Sequence, residues 1–295
     1  MKCTTLPDFV ISIDLNIFTT KHSLQQFLQK IRDTNKTFGF VPTMGALHAG
    51  HLSLIEQARQ NNDEVVCSIF VNPRQFNDPK DLEKYPRTIE ADIRMLEKGN
   101  CDILFNPPVS EIYDGNEKWH LNIGEAEHLL EGKVRPGHYQ GVTQVVYKLF
   151  NIVKPDTAYF GQKDYQQFMI ISHMVKQLHL PVKLVMCPIL READGLAMSS
   201  RNVHLTAEDR QRALILSKTL NWVKDNFSRD NLAGLKQEAD RMISNEPGVE
   251  PDYFEIADAD TLHPATEHSK SIIALVAAKV GKTRLIDNVF LSPES

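Results

Sequence analysis

Cysteine is scarce in this chain. Its 295 residues include four, Cys3, Cys67, Cys101 and Cys187, and none forms a Cys-x-x-Cys pair. The spacing offers neither a disulfide framework nor a thiolate metal cage, and buried free thiols in a reducing cytoplasm are expected. Long apolar runs are missing too: none approaches the roughly 18 residues of a membrane span. No basic stretch leads into an apolar one near the start, so no secretory leader is read there. A surplus of positive charge is also absent. Lys and Arg number 33 against 38 Asp and Glu, for a formal charge of −5, which argues against a general nucleic-acid binder. Internal repeats and low-complexity tracts do not occur. What is present, 42% hydrophobic residues, suffices for a packed core and two domains.

The first two-thirds alternates strand-like and helix-like segments. Ser23 to Arg32 has helical spacing, and Phe38 to Val41 is a short apolar run ended by Pro42. Leu52 to Arg59 is helical and Val65 to Val71 strand-like. Thr88 to Lys98 is helical, and Ile103 to Phe105 is a strand ended by two prolines. Val142 to Val153 (helix), Ala158 to Phe160 (strand), Tyr165 to Leu178 (helix) and Val182 to Cys187 (strand) continue the series. Alternation of this kind predicts an α/β domain, a Rossmann-like parallel sheet with helices on both faces. The pattern changes near residue 189. Two long helices, Ala207 to Phe227 and Leu232 to Asn245, precede three strand-like runs beginning at Tyr253, Ser271 and Arg284. The expected organisation is a catalytic domain over 1–189 and a smaller α+β lid over 190–295. Met1 to Asn16 reads as an extension or an edge strand.

Ligands in such sheets bind beyond the carboxyl ends of the strands, so the loops after strands carry the argument. The most informative is Phe38–His51, a strand, a tight turn, then a helix opening on His48-Ala49-Gly50-His51. Two imidazoles three residues apart share one face of a helix's first turn. Backbone N–H groups from Met44, Gly45, Ala46 and Leu47, with Gly50 permitting close approach, suit phosphates at a helix N-terminus. A two-histidine metal site is the competing reading. After the next strand, Asn72 and Gln75 offer amides to a polar substrate. Arg135 and His138 precede a helix and could clamp a leaving phosphate. Gly161-Gln162-Lys163-Asp164 again joins strand to helix, with Gln167 one turn further on. Met198-Ser199-Ser200-Arg201 supplies two hydroxyls and a guanidinium suited to a triphosphate. Gly281-Lys282-Thr283 mimics the end of a P-loop, but Val276 stands where that motif needs glycine, and no helix follows.

These segments together resemble one family. The early His-x-Gly-His and late Met-Ser-Ser-Arg are similar to the paired signatures of the adenylate-forming nucleotidyltransferase superfamily. The resemblance narrows with Pro-Thr-Met-Gly-Ala-Leu-His, Val-Asn-Pro-Arg-Gln-Phe, Arg-Pro-Gly-His, Phe-Gly-Gln-Lys-Asp-Tyr-Gln-Gln, Met-Ser-Ser-Arg-Asn and Gly-Lys-Thr-Arg-Leu-Ile-Asp-Asn. In that order, across residues 20 to 291, they resemble the pantothenate synthetase (pantoate–β-alanine ligase) family. Ala49, Arg74, Tyr139 and Leu190 depart from the family's usual residues.

The resemblance implies an AMP-forming ligase that joins pantoate to β-alanine through a pantoyl adenylate, with ATP as substrate and Mg2+ held largely by phosphate and water. It implies that His48 and His51 meet the triphosphate and that Gly161 to Asp164 hold the nucleotide, Lys163 at phosphate and Asp164 at ribose. Met198 to Arg201 would close over the distal phosphates. Leu190 would offer backbone contacts to adenine, and Gln75 and Gln167 would bind pantoate. Asp92 is a candidate for assisting the metal, though no protein ligand is assigned. A cytoplasmic homodimer is the family expectation. The alternative is another adenylyl- or cytidylyltransferase of the superfamily; a nucleotide-binding regulator is the reading outside enzymes.

Overall fold

The computed structural model describes residues 15–292. The calls on Met1 to Asp14 and on Cys3 lie outside them. Six strands form one parallel sheet in the order β1-β4-β3-β2-β5-β6: β1 (Asn16–Phe18), β2 (Phe38–Thr43), β3 (Glu64–Ile69), β4 (Ile103–Phe105), β5 (Thr157–Gly161) and β6 (Lys183–Cys187). The helices are α1 (Lys21–Arg32), α2 (Ala49–Asn61), α3 (Pro79–Lys84), α4 (Ile89–Lys98), α5 (Val109–Ile112), α6 (Leu130–Val134), α7 (His138–Val153) and α8 (Tyr165–Gln177).

Both faces of the sheet are covered, and side-chain alternation shows how. Phe38, Phe40, Val66, Ile103, Phe105, Ala158 and Phe160 point to one side and pack with Leu24 and Leu28 of α1, the apolar face of α7, and Ile170 and Met174 of α8. Their neighbours Val41, Val65, Cys67, Leu104 and Tyr159 point to the other, against Leu54, Ile55 and Ala58 of α2 and Leu96 of α4. Period-two alternation with both sides apolar is what a doubly covered sheet requires. Cys67, Cys101 and Cys187 are free and buried, and burial raises the Cys101 thiol to about 12 and Cys187 to about 11, which makes them inert.

A second body follows: α9 (Ala207–Asp225), α10 (Leu232–Ser244) and an antiparallel sheet of β7 (Val249–Asp258), β8 (Ile272–Val280) and β9 (Thr283–Phe290). It has its own core around Leu216, Leu220, Phe254 and Val276. It also reaches back to the first sheet's domain. Arg284 pairs with both carboxylate oxygens of Glu131 at 2.6 and 2.8 Å, and the Tyr253 hydroxyl donates to the same group at 2.9 Å. Burial works against the Glu131 charge, but Arg284 and Tyr253 outweigh it and hold the carboxyl below its ordinary range. A buried carboxylate satisfied this fully tolerates no loss of its partner.

Strand order places the switch point between β2 and β5. The chain runs outward from β2 through β3 to β4, then returns to lay β5 on the other side of β2. The connections leaving β2 and β5 therefore diverge, and a crevice opens at their carboxyl ends.

Candidate active site

A cleft of about 250 Å3 occupies that crevice, and a smaller cavity of about 70 Å3 adjoins it toward the second body. His48, His51, Lys163, Ser199, Ser200 and Arg201 line the cleft, as do Gln75 and Gln167. Widely separated stretches of sequence meet there.

The histidine turn is built by its own backbone demands. Gly45 has φ +80, and a Cβ on it would lie 3.0 Å from Ile69 Cγ2 and 3.1 Å from Asp92 Oδ2; glycine is required by conformation and by space. The turn then hangs on Asp92. Its two carboxylate oxygens accept the Ala46 N–H at 3.0 Å and the Leu47 N–H at 2.8 Å, with the Thr88 hydroxyl beside them at 3.2 and 3.3 Å. The Gly45 N–H goes to Thr43 Oγ1 at 3.2 Å. The expected cradle is corrected here. Gly45, Ala46 and Leu47 spend their N–H groups on Thr43 and Asp92, and neither they nor exposed Ala49 line the cleft, while Met44 and Gly50 do. Asp92, 2% exposed, is an anchor for the turn, and its oxygens are already occupied.

Helix α2 starts at Ala49 because two imidazoles cap it. Gly50 N–H donates to His48 Nδ1 at 3.2 Å, and His48 N–H donates to His51 Nδ1 at 3.3 Å, a reciprocal capping box made of histidines. An Nδ1 that accepts carries no proton, so each ring bears its hydrogen on Nε2. The rings lie 4.0 Å apart. Burial, then His48 and Lys163, lowers His51 to about 3; burial, then Lys163, lowers His48 to about 4. Both are neutral Nε2–H donors at pH 7.

Gln75, on the same cleft, is held by its surroundings. Its Oε1 accepts from Asn72 Nδ2 at 3.0 Å and its amide nitrogen lies 3.2 Å from Met44 Sδ. Its carbonyl accepts from His138 Nδ1 at 2.8 Å and from Arg135 Nη2 at 3.2 Å. Asn72 also donates to the Gly141 carbonyl and accepts from the Tyr113 hydroxyl and the Arg74 N–H. The expectation that Asn72 offers its own amide to a ligand is therefore revised: its polar atoms are spent on orienting Gln75. His138 opens α7 behind a left-handed Gly137, is buried, and is lowered to about 4 by burial and by Arg135. Helix α7 approaches so closely that a Cβ on Gly141 would lie 2.2 Å from the Arg74 carbonyl oxygen.

Lys163 Nζ sits 3.2 Å from Asp164 Oδ2, and both reach the cleft while Gln162 does not. Ser199 Oγ accepts the Arg201 N–H, and Ser200 Oγ lies 3.4 Å from the Tyr85 hydroxyl. Arg201 reaches Asp81 at 3.4 Å. Leu190 is 40% exposed on the cleft's rim, its carbonyl taken by the Met198 N–H at 3.0 Å. Residues missed from the sequence include Asp92 as turn anchor, Tyr85, and the β9 polar residues Asp287 and Asn288, whose consecutive burial breaks strand alternation.

A profile of the family described as pantoate-beta-alanine ligase matches residues 16–290. The chain belongs to the pantoate–β-alanine ligase family. It is 48% identical over 280 residues to the pantothenate synthetase of Thermotoga petrophila, covering 94% of this chain and all of that protein. The pantothenate synthetase of Caldicellulosiruptor saccharolyticus is 44% identical over 270 residues, 91% of this chain and 96% of its own. Among solved structures, pantothenate synthetase from Thermus thermophilus superposes with a TM-score of 0.87 at 39% identity, covering 94% of this chain and 100% of that one. Pantoate-beta-alanine ligase from Francisella tularensis, solved in complex with beta-gamma ATP and beta-alanine, gives 0.77 at 36% identity, covering 95% and 99%. As a pantoate–β-alanine ligase, the chain is an enzyme that forms a carbon–nitrogen bond. A cytidylyltransferase reading is not favoured by any of these relatives.

Proposed function

We propose that this enzyme condenses pantoate with β-alanine, converting ATP to AMP and pyrophosphate through a pantoyl adenylate. The pantoate carboxylate attacks the α-phosphorus as the bond to the β-phosphate breaks, and pyrophosphate leaves with the electron pair. The β-alanine nitrogen then attacks the acyl carbon. AMP departs and the nitrogen sheds its proton. Adenylation is needed because a free carboxylate has only oxide to expel. The protein's share is alignment and charge stabilisation.

One observation carries the reading: His48, His51, Lys163 and the Ser199–Arg201 segment line a single cleft together with the amides of Gln75 and Gln167. Phosphate donors together with neutral amides suit a triphosphate beside a hydroxy acid whose hydroxyls the amides can bind. In this reading His48, His51 and Lys163 take the phosphates, and Ser199, Ser200 and Arg201 close on the distal ones. Asp164 serves the ribose, Leu190 the adenine, and Gln75 and Gln167 the pantoate. Arg135 and His138, lining both cavities, serve an anionic group of substrate or product.

Mg2+ enters as part of the nucleotide substrate. In this reading Mg2+ is held largely by phosphate oxygens and water, and Asp92 is engaged by the Ala46 and Leu47 N–H groups instead. A cytoplasmic homodimer, and a second body from about residue 190 closing as a lid, complete the proposal. An assay withholding each substrate in turn tests it. AMP should form only with ATP and pantoate present and accumulate with β-alanine; AMP release indifferent to pantoate refutes it.

A further inference from the structure

The segment Gly281–Asn288, set aside above as a false phosphate loop, contributes three polar side chains of β9 that each fasten a different wall of the cleft. Arg284 holds Glu131, four residues before Arg135. Asp287 accepts from Arg191 Nη1 at 2.7 Å and Nη2 at 3.0 Å. That pins the stretch after Leu190, where Arg191 bridges to Ala197. Asn288 reaches furthest. Its Nδ2 donates to the carbonyls of Gln162 and Lys163, each at 3.0 Å, and its Oδ1 accepts from Gln162 Nε2 at 3.0 Å. It is buried, and it stays outside the main cleft.

We propose that Asn288 is a positioning residue for the nucleotide: from the second body it fixes the two peptide units that aim Lys163, without touching ATP itself. The Gln162 and Lys163 carbonyls belong to the short turn between β5 and α8, and an amide side chain can donate to two acceptors at once. The lysine's backbone is thereby set by a strand more than a hundred residues away. Gln75 is oriented by Asn72, Arg135 and His138, none of which Asn288 touches. Gln167 rides on α8, where Tyr165 is tied separately to the Ala259 carbonyl. The nucleotide should therefore feel the loss of Asn288 far more than pantoate does.

This rests on the reading that Lys163 meets the triphosphate. The test is steady-state kinetics of Asn288→Asp, which keeps the shape but sets a carboxylate oxygen against two carbonyls. Loss of two hydrogen bonds should raise the ATP KM roughly tenfold, with the pantoate KM within about twofold and kcat at saturating ATP largely kept. An unchanged ATP KM overturns the proposal. So does an equal rise in both KM values, or a fall in kcat with both unchanged, the mark of a merely structural role. Should this variant fail to fold, Gln162→Met removes the reciprocal amide: a rise of about threefold in ATP KM alone sustains the proposal, and no rise overturns it. Lys163→Ala in the same assay separates the premises. If it leaves ATP affinity intact, the site reading fails; if it weakens ATP while Asn288→Asp does not, only the role of Asn288 falls.

Discussion

Replacing Asp92 by asparagine should loosen the histidine turn from behind. In the native protein the two carboxylate oxygens each accept one backbone N–H, from Ala46 and Leu47, at 3.0 and 2.8 Å in a site 2% exposed. Asparagine keeps one oxygen and turns an NH2 toward the other N–H, donor against donor. One charge-assisted hydrogen bond is lost, worth about 1.5–3 kcal/mol, and a buried N–H is left unmatched. For a protein of this size each kcal/mol lowers Tm by about 2–4 °C, so a fall of roughly 4–10 °C is expected. The His48 and His51 rings start just beyond the freed peptides, so turnover should fall with Tm. Pantoate-dependent pyrophosphate exchange and a thermal melt measure both. Excess Mg2+ decides between an anchor and a metal ligand: the defect should persist at every Mg2+ concentration. A variant with native Tm and native exchange, or one restored by Mg2+ alone, refutes the reasoning.

If His51 meets the triphosphate as proposed, His51→Ala removes a donor from the developing phosphate charge and should cost roughly 10²–10³-fold in kcat; a folded variant with full turnover would take His51 out of the chemistry. Acidification should destabilise the fold. His48, His51 and His138 sit at about 4, 3 and 4 against an ordinary 6.5. Between those values the unfolded chain binds more protons, so the stability these groups contribute is complete above about pH 6.5 and is lost toward pH 3–4. At roughly 1.4 kcal/mol per pH unit per group, urea melts at pH 7.5 and 5 should differ by several kcal/mol; equal stability at both would contradict the neutral assignment. Gly141→Ala drives a methyl into the Arg74 carbonyl and should cost about 1–3 kcal/mol and raise the pantoate KM, because Asn72 and Gln75 share that contact; wild-type melting and kinetics would show the approach is slack.

The fold was largely legible because both sheet faces are apolar and most strands are short apolar runs followed by a helix period. Element ends were less so. Helix α7 begins at His138, earlier than Val142, because left-handed Gly137 starts it, whereas the opening of α2 at the histidines followed from the strand-turn-helix pattern. Strand β1 has three residues, too few for a period to show. The side chains that line the cleft were read from loops following strands, and most meet there. Their supports were not read. Asp92 looks like any helix-surface carboxylate until its two backbone donors are seen, and Glu131 finds Arg284 across 153 positions, a pairing no local pattern encodes.

The histidine capping box has an evolutionary corollary. The atoms that terminate α2 and the atoms that orient its two ring donors belong to the same pair of imidazoles. If the proposed function holds, selection for heat tolerance and selection for speed act on one object at this position. A substitution that improves the cap by conventional means, serine or aspartate for His48, would surrender one of the two ring donors that the cleft presents, so robustness in this chain has to be gained at positions away from the turn.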